Sequence, residues 1–415
     1  MTHDADLLRD LFETAVAAAD PMKTIPAALP SRPDGNVIVV GAGKASARMA
    51  EAVETIWGPC EGLVITRYGY ARPCRRIEIV EAAHPVPDAA GEAATLRMLD
   101  RLAALGKNDF VLALISGGGS ALLTSPAGTI TLKEKQQVNA ALLASGAPID
   151  RMNIVRKHLS RVKGGQLARA AYPARMLSLM ISDVPGDDPA DIASGPTVGE
   201  ASTSEDAKAI LENHGLVAPD SVRRVLEAGS CVVPVGDPAL ALTENRIIAT
   251  PGQSLKAAAK IARQKGLEVR ILGDDLEGEA RHLASAHAEL ALTLAATARS
   301  SPVLLLSGGE CTVTRRGGGI GGPNAEYALA LALALRGRPD ITALACDTDG
   351  VDGAAEVAGA IIDATTLERA AVKGLNARAA LDDNDAHSFF AALGDHVVTG
   401  PTLTNVNDFR AILLR

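Results

Sequence analysis

The run FVLALI, Phe110 to Ile115, is apolar without interruption and is followed at once by SGGGS. A strand-length run that does not alternate with polar residues suits a strand buried on both faces, as in a parallel sheet covered by helices. Similar runs recur with Ala-rich helical segments between them, the pattern of an α/β domain. Strands are predicted over Asn36–Val40, Gly62–Thr66, Ile77–Glu81, Phe110–Ile115 and Leu177–Ile181. Helices are predicted over Lys44–Ile56, Ala90–Leu105, Leu132–Ala144 and Asp150–Ala170. Several of the strands end in a glycine or a small polar residue, where parallel sheets carry their ligand-binding loops.

At 415 residues the chain exceeds one ordinary core, and 47% hydrophobic with 22% charged residues is a globular composition, so two domains are expected. The segment TSEDAKAILENHG reads as a helix with Ser204 as its N-cap and Gly215 as its stop. The passage between domains is placed at Pro234 to Pro238, giving one domain over 1–236 and another over 237–415. In the second, ENRIIAT, LEVRILG and PVLLLSGGE read as strands, with helices over SLKAAAKIARQKG and to about Ala298.

The formal charge of -8 argues against nucleic acid as the main partner, although an acidic protein can still hold an anion in a local basic pocket. Five scattered cysteines with no CxxC suggest neither a disulfide framework nor a zinc site. The N-terminal MTHDADLLRDLFETAVAAAD resembles an amphipathic helix and not a signal peptide. The longest uncharged run, Phe110 to Leu132, is broken by Gly117, Gly118, Gly119 and Pro126 and does not span a bilayer. A soluble cytoplasmic protein is expected, with no membrane partner.

Glycines directly after a strand permit φ > 0 and can expose successive N–H groups to an anion. Ser116, Gly117, Gly118, Gly119 and Ser120 are therefore either such a nest or a tight turn. NVIVVGAGKASARMAEAVE is a strand, a Gly41/Gly43 turn and a helix. It resembles a dinucleotide fingerprint, but the third small position is Ser46 and the next strand ends near Arg67 with no ribose-binding acid. Lys44 sits where its charge opposes the helix dipole, which suits a phosphate better than the helix; the alternative is a solvated lysine.

In NIVRKHLSRVKGGQLA, Arg156, Lys157, Arg161 and Lys163 crowd one helix, and Arg156 and Lys163, seven apart, share a face. That face is either solvated or, given Gly164 and Gly165, approached by a ligand. MLSLMISDVPGDDPADIASGPT ends a strand in Asp183 among further acids, which suit a hard cation such as Mg²⁺ or simply helix caps and turns. Downstream, Gly308, Gly309 and Glu310 follow a strand, Gly317 to Gly322 form a second dense glycine loop, and Asp347, Asp349 and Asp352 follow another strand. Strand-end acids with glycine loops are parts that phosphoryl transfer uses. His84, between prolines in AAHPVPDAAG, reads as a structural turn residue.

VGAGKAS, HPVPDAAG, ISGGGSALL, NIVRKHLSRVKGG, ISDVPGDDPADIASGPT, LSGGECTV and CDTDGVDG, in this order from about Asp6 to Leu414, resemble the glycerate 2-kinases with a C-terminal MOFRL domain. Many of that family carry the label hydroxypyruvate reductase. The resemblance implies an α/β fold: a Rossmann-like N-terminal domain with a parallel sheet, a smaller α/β MOFRL domain, and an active site in the cleft between them. It implies ATP- and Mg²⁺-dependent phosphorylation of D-glycerate to 2-phosphoglycerate. Lys44 and Asp183 would then be catalytic, while Ser116, Gly117, Gly118, Gly119, Ser120 and Arg156 would bind substrate. Gly41, Gly43, Gly308, Gly309, Glu310, Gly319, Gly321 and Asn324 would bind nucleotide, and Asp347 and Asp349 the metal.

One departure stands out. Where the family commonly reads GGRNQE this chain reads GGPNAE, so Pro323 replaces an arginine that could stabilise transition-state charge, with Arg315 or Arg316 as nearby substitutes. Two other functions stay open on the residues: an NAD(P)H-dependent hydroxypyruvate reductase, invited by GAGKAS, and a non-catalytic nucleotide-binding relative, for which Pro323 speaks.

Overall fold

The apolar runs become strands in a computed structural model of the protein, which describes residues 3–297, 301–353 and 355–415. In the first of two compact units lie β1 (Val37–Ala42), β2 (Glu61–Arg67), β3 (Ile77–Ala82), β4 (Phe110–Ile115), β5 (Arg175–Ile181) and β6 (Thr243–Ala249), in the order β3-β2-β1-β4-β5-β6. The pairs β1/β2, β1/β4, β2/β3 and β4/β5 are parallel. Every residue of β4 is buried, as its unbroken apolar sequence requires. The chain leaves β1 toward β2 on one side and returns to β4 on the other. The topological switch point of the sheet is therefore between β1 and β4, where α/β proteins place ligands at the carboxyl ends of the strands.

Local chemistry starts and stops the helices around this sheet. Asp88 caps the helix Ala89–Ala103 by accepting the Gly91 N–H at 3.0 Å, which gives HPVPDAAG a structural task at its acid. A capping box between Thr131 and Glu134 opens the helix Leu132–Ala144. The helix beginning at Ser204 has Thr203 as its N-cap, one residue earlier than the sequence suggested, because Thr203 and Asp206 form a reciprocal box.

The single helix expected over Asp150–Ala170 is two, Ile149–His158 and Gln166–Ala171. Between them Gly164 and Gly165 adopt φ of +54° and +79° and donate their N–H groups to Ser194 and Gly195 carbonyls at 3.1 and 2.8 Å. An added Cβ at Gly165 would stand 2.9 Å from Val233, so the break is built in. Arg156 and Lys163 thus do not share a helix face.

The division of the chain also differs from the boundary expected at 236/237. One compact unit is Pro21–Ser182 with Asp187–Ile248; the other is Met1–Asp20, Asp183–Gly186 and Ala249–Arg415. The run ENRIIAT completes the first sheet as β6 beside β5, and does not open a second domain. Strand pairing is a long-range choice that a local apolar pattern does not encode.

The second unit adds β7 (Glu268–Gly273), β8 (Gly278–Glu279), β9 (Val303–Ser307), β10 (Cys311–Thr312), β11 (Ile341–Asp347), β12 (Gly359–Ile362), β13 (His396–Val397) and β14 (Asp408–Leu414). Its main sheet runs β13-β12-β11-β14-β9-β7 and is mixed: β9 is parallel to β7 and antiparallel to β14. One of its cores unites the helix His3–Ala18, through Leu8, Leu11 and Phe12, with Leu255, Leu304, Leu306 and Phe409. The other unites the helices Ala280–Ala295 and Pro323–Leu335 with Leu305, Ala343 and Ile412. The predicted helix end at Ala298 lies outside the described residues. Among the described residues no helix is long and apolar enough to cross a membrane.

Candidate active site

At the switch point the two loops predicted to bind ligand are joined to each other. The Lys44 N–H donates to the Gly117 carbonyl at 2.8 Å, and the Ala45 N–H to Ser116 Oγ at 3.0 Å. Ser46 Oγ donates to the Leu114 carbonyl at 2.9 Å and lies 3.1 Å from Ser116 Oγ. Gly41 and Gly43 are glycines for this reason. A Cβ would stand 2.4 Å from the Leu114 carbonyl oxygen at Gly41 and 2.0 Å from Ser116 Oγ at Gly43. Their role is to let β1 and β4 close on one another.

Gly118 adopts φ +78°, and the position of its missing Cβ is 3.1 Å from the His84 ring and 3.3 Å from Lys44 Cγ. His84, Gly118 and Lys44 are therefore one cluster. Sequence reasoning set His84 aside as a turn residue because its flanking prolines masked its proximity to a loop 34 residues away. Gly119 packs equally closely, its Cβ position 2.7 Å from Ala193 and 2.9 Å from the Ala42 carbonyl. Ser120 Oγ lies 2.8 Å from Ser194 Oγ, in a segment where Ala193, Ser194 and Gly195 all have positive φ (51°, 63° and 59°).

Beside this loop is a set of cations: three buried lysines and the half-buried Arg156. Lys163, 1% exposed, donates through Nζ to the Ser120 carbonyl at 2.7 Å and to Ser120 Oγ at 3.2 Å. Burial pushes its ammonium well below the usual lysine range, and repulsion from Lys135, Arg156 and Lys157 pushes it further. Lys135, 3% exposed, has a buried Nζ with no hydrogen-bond partner among the described residues. Burial, then Arg156, brings it down to about 8, against a weaker pull upward from Glu92. Arg156 donates to Asn153 Oδ1 at 3.3 Å while its buried Nε has no partner among the described residues. Lys157 is the compensated member, 2.8 Å from Glu200 and 3.7 Å from Asp191.

The sequence did carry a signal for Lys135. It lies on the buried stripe of its helix with Val138 and Leu142, a lysine at i where apolar residues stand at i+3 and i+7.

In the second unit Asp183 accepts from Asn405 Nδ2 at 3.4 Å. The same buried segment reaches the Asp347–Asp349 turn, where Thr348 N–H and Oγ1 donate to the Asn407 carbonyl at 3.1 and 2.7 Å. Asp347 Oδ1 accepts the Asp349 N–H, and Asp349 Oδ1 the Val351 N–H, both at 2.8 Å. These three acids are thus tied to one stretch of chain. Among the described residues no group of three or more His, Cys, Asp or Glu side chains is arranged to hold a metal ion.

The other predicted nucleotide-binding residues are largely occupied. Gly308 and Gly309 carbonyls accept from Arg410, which also pairs with Asp408, and a Cβ at Gly309 (φ +105°) would stand 2.3 Å from Leu276. Glu310 is exposed. Asn324 donates through Nδ2 to Asp408 Oδ1 at 2.6 Å, and Asp352 accepts the N–H groups of Asn324 and Ala325 at 2.9 and 2.8 Å. That carboxylate caps the helix Pro323–Leu335, in which Pro323 at the first position has no N–H to lose. Burial, and then Asp408, raises Asp352 to about 7 against these donors. In the dense glycine loop, Gly319 N–H donates to the Asp383 carbonyl at 2.9 Å and Ile320 N–H to Asp385 Oδ1 at 3.0 Å. Gly321 packs against the Asn384 carbonyl, its Cβ position 3.0 Å away. Arg315 donates to the Gly319 carbonyl of its own loop at 3.0 Å.

Two family models match the chain: "Domain of unknown function (DUF4147)" over residues 7–227 and "MOFRL family" over 303–408. A D-glycerate 2-kinase of Thermotoga maritima is 37% identical over 404 residues, 96% of this chain and 95% of that protein. The chain belongs to the glycerate 2-kinase family with a MOFRL domain. A crystal structure of glycerate kinase (EC 2.7.1.31) from the same organism superposes on it with a TM-score of 0.87, at 36% identity and 99% coverage of both chains. A protein of Agrobacterium vitis named "Putative hydroxypyruvate reductase" is 50% identical over 414 residues, 98% of this chain and 94% of its own. Membership of the family thus comes with both of its names.

Proposed function

We propose that this chain transfers the terminal phosphoryl group of ATP to D-glycerate, giving 2-phosphoglycerate, and that it is not a nicotinamide-dependent reductase. One observation carries the choice. A dinucleotide-binding turn presents the first N–H groups of its helix to a pyrophosphate. Here the Lys44 and Ala45 N–H groups are spent on Gly117 and Ser116, and β2 ends in Arg67 and not in a ribose-binding acid. The turn that invited the reductase reading has thus spent two of its donors on the neighbouring loop, and the strand after it offers no acid to a ribose.

What the same turn contributes is the Lys44 side chain, lying against Gly118 in a unit that also holds Arg156 and the buried lysines. In this reading Lys44 neutralises charge on the phosphoryl group in flight, and Ser116–Ser120 with Arg156 orients the acid. Asp347 and Asp349 suit Mg²⁺ delivered with the nucleotide, since that ion commonly takes one or two carboxylates alongside phosphate oxygens and water. Bound there, Mg²⁺ supplies positive charge to the phosphate oxygens. Asp183, tied to Asn405, is available to hold the proton of the attacking hydroxyl. The similarity to D-glycerate 2-kinase and glycerate kinase supports the substrate.

The test is ADP release with D-glycerate, ATP and Mg²⁺, run beside NADH and NADPH oxidation with hydroxypyruvate, with the phosphoglycerate isomer identified. ADP release with 2-phosphoglycerate as product is expected. Nicotinamide oxidation without ADP release overturns the reading, and nucleotide binding with neither reaction reduces the chain to a binding protein.

A further inference from the structure

Lys135, Arg156 and Lys163 come from two helices and a glycine-broken loop; Lys163 is held at Ser120, and Lys135 and Arg156 are near enough to Lys163 to repel its charge. Burying a charge costs several kcal/mol unless a partner compensates it. Lys157 has such partners in Glu200 and Asp191. The other three do not: Lys163 is bound to neutral oxygens, and Lys135 Nζ and Arg156 Nε have no hydrogen-bond partner among the described residues. Solvent does not explain the arrangement, because both lysines are almost fully buried. Chain packing does not require it either, since a methionine would fill the Val138/Leu142 stripe at Lys135 without a charge.

We propose that Lys135, Arg156 and Lys163 form a buried oxyanion-binding centre beside the Ser116–Ser120 loop, left electrostatically incomplete until it takes the carboxylate or phosphoryl group of a small acid. This deepens the phosphotransfer reading by assigning a place to the acid's anionic end, and adds Lys135, which the motifs did not single out, and Lys163, which they named only as part of a basic face. The surroundings define the charge balance. Lys135 faces Arg156 and Glu92; Lys163 faces Lys135, Arg156 and Lys157, the last held by Glu200 and Asp191. An arriving anion offsets the repulsion among the three cations. It therefore raises the affinity of the two lysines for protons, and near pH 8.5 its binding draws protons from solution.

Three probes separate the sources of the anion: D-glycerate, inorganic phosphate, and glycerol as a neutral control with the hydroxyls alone. In the wild-type protein, calorimetry at pH 8.5 in two buffers of different ionisation enthalpy is expected to show proton uptake with D-glycerate, phosphate or both, and none with glycerol. A response to D-glycerate alone assigns the carboxylate; a response to phosphate alone assigns the phosphoryl group. Lys135→Met is expected to raise the Tm of the unliganded protein, because it removes an uncompensated charge, while binding the anion roughly 10- to 100-fold more weakly.

A lower Tm for Lys135→Met with unchanged anion affinity makes the lysine a packing residue and overturns the proposal. So does anion binding by the wild type with no proton uptake, or no anion binding at all. Should Lys135→Met not fold, the wild-type calorimetry decides alone. The two readings fail separately. ADP release with an unaltered D-glycerate KM in Lys135→Met removes the centre and leaves the kinase, whereas proton-coupled anion binding without ADP release leaves the centre and removes the kinase.

Discussion

The loop Ser116–Ser120 and the loop 315–322 are both glycine-rich, yet their charges and their N–H groups are disposed in opposite ways. The first has uncompensated cations beside it and no acid on it: Lys163 and Ser194 hold Ser120, the Lys44 N–H holds the Gly117 carbonyl, and the Ser116 and Gly119 N–H groups donate to backbone carbonyls. The second is filled from its own chain. Asp383 and Asp385 accept the N–H groups of Gly318 and Ile320, and Asn384 takes those of Arg316 and Gly317. Glycine density by itself therefore does not identify a ligand site. What separates the two loops is where the backbone donors go and which charge is left over.

The largest effect belongs to Lys44, whose side chain lies against Gly118 of the first loop. Lys44→Ala is expected to lower kcat by about 10²–10³-fold, the usual cost of removing one group aimed at developing charge, with little change in Tm. A kcat within threefold of wild type would place the chemistry elsewhere and erase the contrast between the loops.

A pair of glycine substitutions sharpens it in stability. At Gly43 (φ +146°) a Cβ would lie 2.0 Å from Ser116 Oγ, whereas at Gly318 there is nothing within 4 Å. Gly43→Ala should cost about 3 kcal/mol in urea unfolding, from overpacking and backbone strain together. Gly318→Ala should stay within about 0.5 kcal/mol, as at an ordinary surface position. Equal costs would mean that the second loop is as tightly specified as the first.

The filled loop leads into a helix whose cap can be read by pH. Asp352 caps that helix and is raised by burial and by Asp408 to about 7, against an ordinary value near 3.9. The native state then holds a proton that the unfolded state has lost, so stability falls as pH rises from about 4 through 7. Between pH 5 and 7 the wild type should lose about 2 kcal/mol relative to Asp352→Asn, whose single amide oxygen keeps only one of the two helix N–H groups and so adds an offset that does not change with pH. His287, lowered to about 4 by burial and Arg410, acts in the opposite direction below pH 6.5, so the difference between the two proteins isolates Asp352. Parallel curves would show that Asp352 is ionised in the native state.

Much of this was legible in the sequence, and the limits have physical causes. The boundaries of β4 and of the helix Leu132–Ala144 were read exactly because apolar runs and capping residues are local signals. The assignment of β6 to the first sheet depends on its pairing with β5, and that of the helix His3–Ala18 to the second unit's core on contacts hundreds of residues away. Lys44 and SGGGS were visible because strand-end glycines are a local pattern. The grouping of Arg156 with Lys163 was anticipated for a reason that does not hold: the helix is broken, and the cations meet through the fold. The place of His84 beside Gly118 needed three-dimensional proximity, whereas Lys135 was readable as a charge on an apolar stripe.

The smallest expected effect tests the part of the comparison most exposed to the family pattern. Pro323 stands where the family resemblance led to an expected arginine, and Arg315 is the natural substitute if the second loop takes part in catalysis. Its guanidinium, however, is exposed and donates to the Gly319 carbonyl, which makes it a brace within its own loop. A solvated side-chain bond of that kind contributes well under about 1 kcal/mol. Arg315→Ala should therefore change kcat less than threefold and stability by less than about 0.5 kcal/mol. A loss approaching the 10³-fold that a charge-stabilising arginine can supply would show that Arg315 leaves Gly319 during turnover. The filled loop would then be a second anion site, with Asp383 and Asp385 standing in for the phosphates they yield to.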